Sequence, residues 1–140
     1  VKFDTLWPFQ SMLFFGGDTN YSSIVAKISF GSSSVLLTGD AEFPVEEKLI
    51  SSGADLRTTA LKIGHHGTKN ATSDLFLKKV APDFAVISAG KNNTYGHPTP
   101  EALRRLKNAG VTVYRTDLHG RIHFIFSQKG IEKIETERAR

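Results

Sequence analysis

Residues 34–67, SVLLTGDAEFPVEEKLISSGADLRTTALKIGHHG, contain a strand, a helix and a second strand in that order. Ser34 to Leu37 is an apolar run that stops at Thr38-Gly39-Asp40. From Ala41 to Ser52 the spacing predicts a helix, with Phe43, Val45, Leu49 and Ile50 on one face and Glu42, Glu46, Glu47 and Lys48 on the other. Gly53 stops it. Thr58 to Ile63 reads as a buried strand that ends at Gly64-His65-His66-Gly67.

The same alternation continues downstream. Thr72-Ser73-Asp74 caps a helix through Val80, and Phe84 to Ser88 is a strand. After the loop Gly90 to Pro98, Thr99-Pro100-Glu101 starts a helix that runs to Asn108. Val111 to Arg115 is a strand, Asp117 to Gly120 a turn, Ile122 to Phe126 a strand, and Lys129 to Arg140 a final strand. Upstream, Val1 to Leu6 is a short strand and Phe9 to Tyr21 a loop carrying Gly16-Gly17-Asp18. Ser23 to Phe30 forms a hairpin with Ser34 to Leu37 through the turn at Gly31 to Ser33. Strands alternating with helices imply an α/β fold with crossover connections, and 140 residues fit one domain over 1–140.

Composition narrows the chemistry. There is no cysteine, which excludes a disulfide framework, a thiolate zinc site and a thiol nucleophile. The net charge of +4 is compatible with a polyanionic ligand without requiring one. The apolar stretches at Met12 to Phe15 and Ile24 to Phe30 are far shorter than a bilayer span. No phosphate-binding glycine loop or serine nucleophile elbow is present.

Ligands of α/β folds sit beyond the carboxyl ends of the strands. Three loops there carry polar groups: Thr38-Gly39-Asp40, Gly64-His65-His66-Gly67, and Asn92 to Pro98 with Tyr95 and His97. Imidazole and carboxylate suit a divalent metal, and Asp40 with His65 or His66 supplies both. The plainer reading makes Asp40 the cap of the helix at Ala41. His97 either donates to a substrate oxygen or seats its loop. His119 and His123 read as surface or edge residues. Asn20, Ser22 and Ser23 either close a turn, the favoured reading, or line the site. Lys62, Lys69, Lys78, Lys79 and Lys91 form a solvated face by default, with a phosphate-facing surface as the alternative.

Leu6-Trp7-Pro8, Asn20 to Ile28, Val35 to Asp40, Leu61 to Asn70, Ala89 to Pro98 and Tyr114 to Gly120 occur in one order. Together they resemble the C-terminal metallo-β-lactamase-fold domain of the ComEC-type DNA-uptake competence proteins. That resemblance implies an αββα sandwich with two divalent metals, zinc or manganese. In it Asp40 matches the carboxylate that bridges both metals, and a histidine about 25 residues later binds the second. His65 and His66 both fit that spacing, and similar esterases favour His66. His97 matches an active-site histidine. The implied reaction is hydrolysis of DNA or another phosphodiester by a metal-bound hydroxide.

One departure matters. The HxHxDH motif that supplies most ligands in the family is absent, and no histidine precedes His65. The resemblance therefore implies the C-terminal half of the fold, with an incomplete metal site in this chain. Its implied partners are the N-terminal half of the domain, a second copy of the chain, and membrane segments outside these residues. The implied location is the extracytoplasmic face of a membrane, with a soluble protein as the alternative. A non-catalytic module that binds DNA or protein on a degenerate scaffold is the competing expectation.

Overall fold

A computed structural model describes residues 1–9 and 19–139. Met12 to Phe15 and Gly16-Gly17-Asp18 lie outside the described residues. Six strands form one sheet: β1 (Lys2–Trp7), β2 (Val25–Phe30), β3 (Ser33–Leu37), β4 (Ala60–Lys62), β5 (Phe84–Ile87) and β6 (Thr112–Arg115), in that spatial order. The first three are antiparallel neighbours and the last four are parallel, so the sheet is mixed. Three helices make the parallel crossovers: α1 (Phe43–Ser51), α2 (Asp74–Val80) and α3 (Pro100–Asn108). The crossovers advance in one direction, and right-handed connections then place all three helices on one face of the sheet.

Strand register assigns the two faces. Lys27, Leu36, Leu61, Ala85 and Val113 stand side by side on the helix face. There Leu36, Leu61 and Ala85 meet Val45 and Leu49 of α1, Phe76, Leu77 and Val80 of α2, and Leu106 of α3 in one buried cluster. The rows Phe3, Ile28, Val35, Ala60, Phe84 and Thr5, Ala26, Leu37, Lys62, Val86, Tyr114 occupy the other face. A second sheet of β7 (Ile122–Ser127) and β8 (Gly130–Thr136) packs on this face, where Phe124 lies 5.9 Å from Phe84 and 5.8 Å from Tyr114. The layers are helix, mixed sheet, second sheet, consistent with an αββα sandwich. On the second face Phe3 remains 62% exposed.

The local signals hold where they are short-range. Ser73 accepts the Phe76 N–H and Thr99 accepts the Ala102 N–H, so both helices start at their expected caps. The turn expected at Asp117 is one helical turn, α4 (Thr116–His119). Asp40 does not cap α1. The helix starts at Phe43 after Glu42, with Pro44 in its first turn, because residues 38–41 close a separate turn from the Ala41 N–H to the Thr38 carbonyl.

Three further expectations are corrected. Glu46, expected on the solvent face of α1, is buried. His119, expected at the surface, is buried too: its Nδ1 accepts the Arg115 N–H at 2.9 Å and its ring packs edge-on to Tyr114. Lys62 does not belong to a solvated face, because it stands between Leu37 and Val86 in the sheet and its Nζ donates to the Ile63 carbonyl at 2.7 Å. His123 is exposed, as expected.

Candidate metal centre at the strand ends

The parallel strands deliver three loops to one edge of the sheet. After β3, Thr38 Oγ1 donates to the Lys62 carbonyl at 2.7 Å and locks the loop to β4. Gly39 turns the chain at φ +55°, where a side chain is disfavoured. Asp40 follows with its N–H donated to Ser23 Oγ at 3.1 Å, which leaves the carboxylate free of any capping duty. Ser23 and Asn20 thus close the expected turn and also touch the site, for the Asn20 amide lies 3.4 Å from His65 Nδ1.

After β4 the chain makes a short turn, Gly64–Gly67, in which His65 (φ 41°) and His66 (φ 55°) are both left-handed. Each such residue costs on the order of 1–3 kcal/mol and persists only when its surroundings over-determine it. The surroundings are visible. The His65 N–H donates to the Gly39 carbonyl at 3.1 Å, and the Gly67 carbonyl accepts the Thr99 N–H at 2.9 Å. Just beyond, Glu46 of α1 accepts the N–H groups of Thr72 and Ser73. Arg105 of α3 donates to the carbonyls of Lys69, Ala71 and Thr72 at 2.9, 2.8 and 2.8 Å. Burial pushes the Glu46 carboxyl up, and the Ser73 and Thr72 groups and Arg105 pull against that shift.

These contacts aim the two imidazoles differently. His66 Nδ1 lies 2.7 Å from the Ser88 carbonyl. A carbonyl only accepts, so Nδ1 carries the proton and the neutral ring keeps its lone pair on Nε2. That Nε2 stands 3.5 Å from Asp40 Oδ1. Two acceptors facing each other need a proton or a cation between them. Two ligand atoms bound to one ion at about 2.1 Å in tetrahedral geometry stand about 3.4 Å apart, so this separation is compatible with a shared divalent ion. A ring whose other nitrogen is held by a carbonyl is the usual state of a metal-bound histidine.

His65 Nδ1 is 2.7 Å from Glu42 Oε1, and its ring centre is 5.7 Å from that of His97. His97 sits in a loop closed by Asn93, whose Oδ1 accepts the His97 N–H and whose Nδ2 donates to the His97 and Gly90 carbonyls. Burial, then the neighbouring His65 and His66, hold the His97 imidazole below its ordinary value, so it favours the neutral ring. Burial likewise lowers the Lys62 ammonium, opposed by the Asp40 charge nearby. Beside His66 and His97 opens a cleft of about 420 Å³, lined also by Ser88, Ala89, Gly90, Asn93, Tyr95 and Thr116.

The structure therefore brings Asp40, His65, His66 and His97 to one edge. Among the described residues no group of three or more His, Asp or Glu converges on a single point. Sequence reasoning missed Glu42 and the Ser88 carbonyl. Glu42 and Ser88 meet their histidines across 23 and 22 residues of chain, and no local pattern marks such pairs.

Fold and site define a class: an α/β domain whose carboxylate and imidazoles gather at the carboxyl ends of parallel strands. Relatives give the family. The chain is 37% identical over 110 residues to ComE operon protein 3 of Bacillus subtilis (strain 168), covering 79% of this chain and 14% of that protein. It is 36% identical over 116 residues to Competence protein ComA of Neisseria gonorrhoeae, covering 82% and 17%. Recombination protein 2 of Haemophilus influenzae is 36% identical over 121 residues, covering 86% and 15%. No family model matches the sequence. The chain belongs to the ComEC family of competence proteins, as a homologue of one segment of them, and it spans about a seventh to a sixth of the length of these relatives. Among the described residues no helix is long and apolar enough to cross a membrane.

Proposed function

We propose that this chain is part of a metal-dependent phosphodiesterase domain of a competence protein, acting on DNA. The observation that carries the reading is the 3.5 Å approach of His66 Nε2 to Asp40 Oδ1, with the His66 tautomer set by Ser88. Asp40 and His66 would hold a divalent ion, zinc or manganese, and His65 is the second candidate for the imidazole. Such an ion supplies Lewis acidity toward a phosphoryl oxygen and lowers the pKa of water.

The chain's own residues do the rest. Glu42 orients His65, and the Ser88 carbonyl orients His66. His97, neutral and at the mouth of the cleft, donates to a phosphate oxygen. A catalytic site takes about three protein ligands per zinc, so the remaining ligands come from outside the described residues, from the rest of the domain or a second copy of the chain. By the same reading the domain stands at the extracytoplasmic face of a membrane protein.

The test is hydrolysis of single-stranded DNA by the protein that carries this chain, with manganese or zinc. Asp40→Ala and His66→Ala are expected to lower the rate at least about 100-fold, because losing a residue that only supports a ligand already costs about 10–100-fold. Chelation abolishes it. Cleavage unchanged in both variants would overturn the assignment of the reaction to Asp40 and His66, and no cleavage by the unsubstituted protein would leave the non-catalytic binding module as the reading.

A further inference from the structure

Tyr95 stands at the mouth of the cleft, 82% exposed, with its ring stacked on His97 at 6.1 Å and an interplanar angle of 27°. An aromatic ring left in water beside a site for an anionic group is a stacking surface for a flat ligand. Besides Ser88 and the His66 and His97 rings, the cleft wall is built from Ala89, Gly90 and the side chains of Asn93 and Thr116. The Asn93 and Thr116 side chains are already committed. Asn93 uses its carbonyl oxygen and its amide within the loop. Thr116 Oγ1 accepts the Ala89 N–H at 2.9 Å and donates to the Ala89 carbonyl at 2.9 Å. The wall therefore offers faces to pack against and no free side-chain amide or hydroxyl on Asn93 or Thr116 to read a hydrogen-bonding edge.

We propose that this cleft, with Tyr95 as its stacking face, is a nucleobase subsite that holds a base of single-stranded DNA next to the Asp40–His66 centre without reading its identity. The identification of the strand as DNA rests on the proposed function; the stacking of a base does not require the metal. Lys91 is exposed on the same loop, where a cation suits the backbone of such a strand. Every base has a π-face, so stacking of this kind tolerates sequence.

The experiment is an NMR and fluorescence titration of the protein, in chelator, with three eight-residue oligonucleotides: oligo-dT, oligo-dA and an abasic strand of equal charge. Both base-bearing strands are expected to bind at least about 5-fold more tightly than the abasic one, the scale of base–aromatic stacking, and within a few-fold of each other. They should shift the amides of Ala89, Gly90, Asn93 and Tyr95. Tyr95→Leu, which keeps bulk and removes the ring, should erase the preference over the abasic strand, with an unchanged thermal midpoint showing that the fold persists. Equal binding of abasic and base-bearing strands, an unaltered preference in Tyr95→Leu, or no shift at these amides would overturn the subsite. Cleavage that depends on Asp40 and His66 but binding that ignores Tyr95 sinks the subsite alone. Base-dependent binding in a protein whose cleavage ignores Asp40 and His66 sinks the phosphodiesterase reading and leaves the subsite standing.

Discussion

Arg105 Nε of α3 donates to the Thr72 carbonyl at 2.8 Å, and the same guanidinium reaches the carbonyls of Lys69 and Ala71. A helix on one crossover thus grips the segment that leaves the strained histidine turn of another. The planar fork supplies divergent donors that an ammonium cannot place together. Arg105→Lys is expected to lose about 1–3 kcal/mol in urea denaturation. Faster amide exchange should be confined first to residues 68–73. A variant as stable as the unsubstituted chain would mean that these bonds contribute nothing net.

Gly67 and Gly53 separate two costs of a side chain. Both are left-handed, at φ +82° and +74°. At Gly53 a Cβ meets nothing within 4 Å, so Gly53→Ala should cost only the backbone preference, about 1–2 kcal/mol. At Gly67 a Cβ would stand 2.8 Å from Pro98 Cβ, so Gly67→Ala adds displacement of the loop that carries His97. Gly67→Ala is expected to be the more destabilising in thermal melts and to shift the His97 resonances. Equal costs would contradict the close packing of those two loops.

Asp117 titrates in a direction that denaturation can read. Arg115 binds it through Nε at 3.1 Å and Nη2 at 2.5 Å, and that pairing lowers the carboxyl from its ordinary value of 3.8. A carboxyl lowered in the folded state contributes stability above its unfolded value, and the contribution is lost as pH falls through the folded value. Asp117→Asn should therefore be less stable than the unsubstituted chain at pH 7 by about 1 kcal/mol. The gap should close below pH 3.8. A gap that persists in acid would point to packing instead of charge.

The legible parts of this fold were those encoded by neighbours in sequence. Ser73 and Thr99 announce their helices because a cap and the N–H it binds lie three residues apart. The parallel order of β3 to β6 follows from strands separated by helices. Glu46 was illegible because helical periodicity puts it with Glu42 and Glu47, while its partners Thr72 and Ser73 arrive from the next crossover. His119 was illegible for a related reason: burial comes from the Arg115 N–H and Tyr114 folding over it, not from alternation along a strand. At the site, residue type singled out the His65–His66 pair, whereas Asp40 and His97 were favoured as site residues only through the family resemblance. Their division of labour needed the carbonyl of Ser88 and the carboxylate of Glu42.

In the proposed reading Asp40 and His66 together face one divalent ion. The most direct measurement is paramagnetic broadening of backbone amide and imidazole NMR signals as manganese is added in small substoichiometric steps, a readout that registers weak sites. Broadening is expected first at Asp40 and His66, ahead of His119 and His123, and it should vanish in Asp40→Asn. Broadening centred elsewhere, or unchanged in Asp40→Asn, would contradict the assignment.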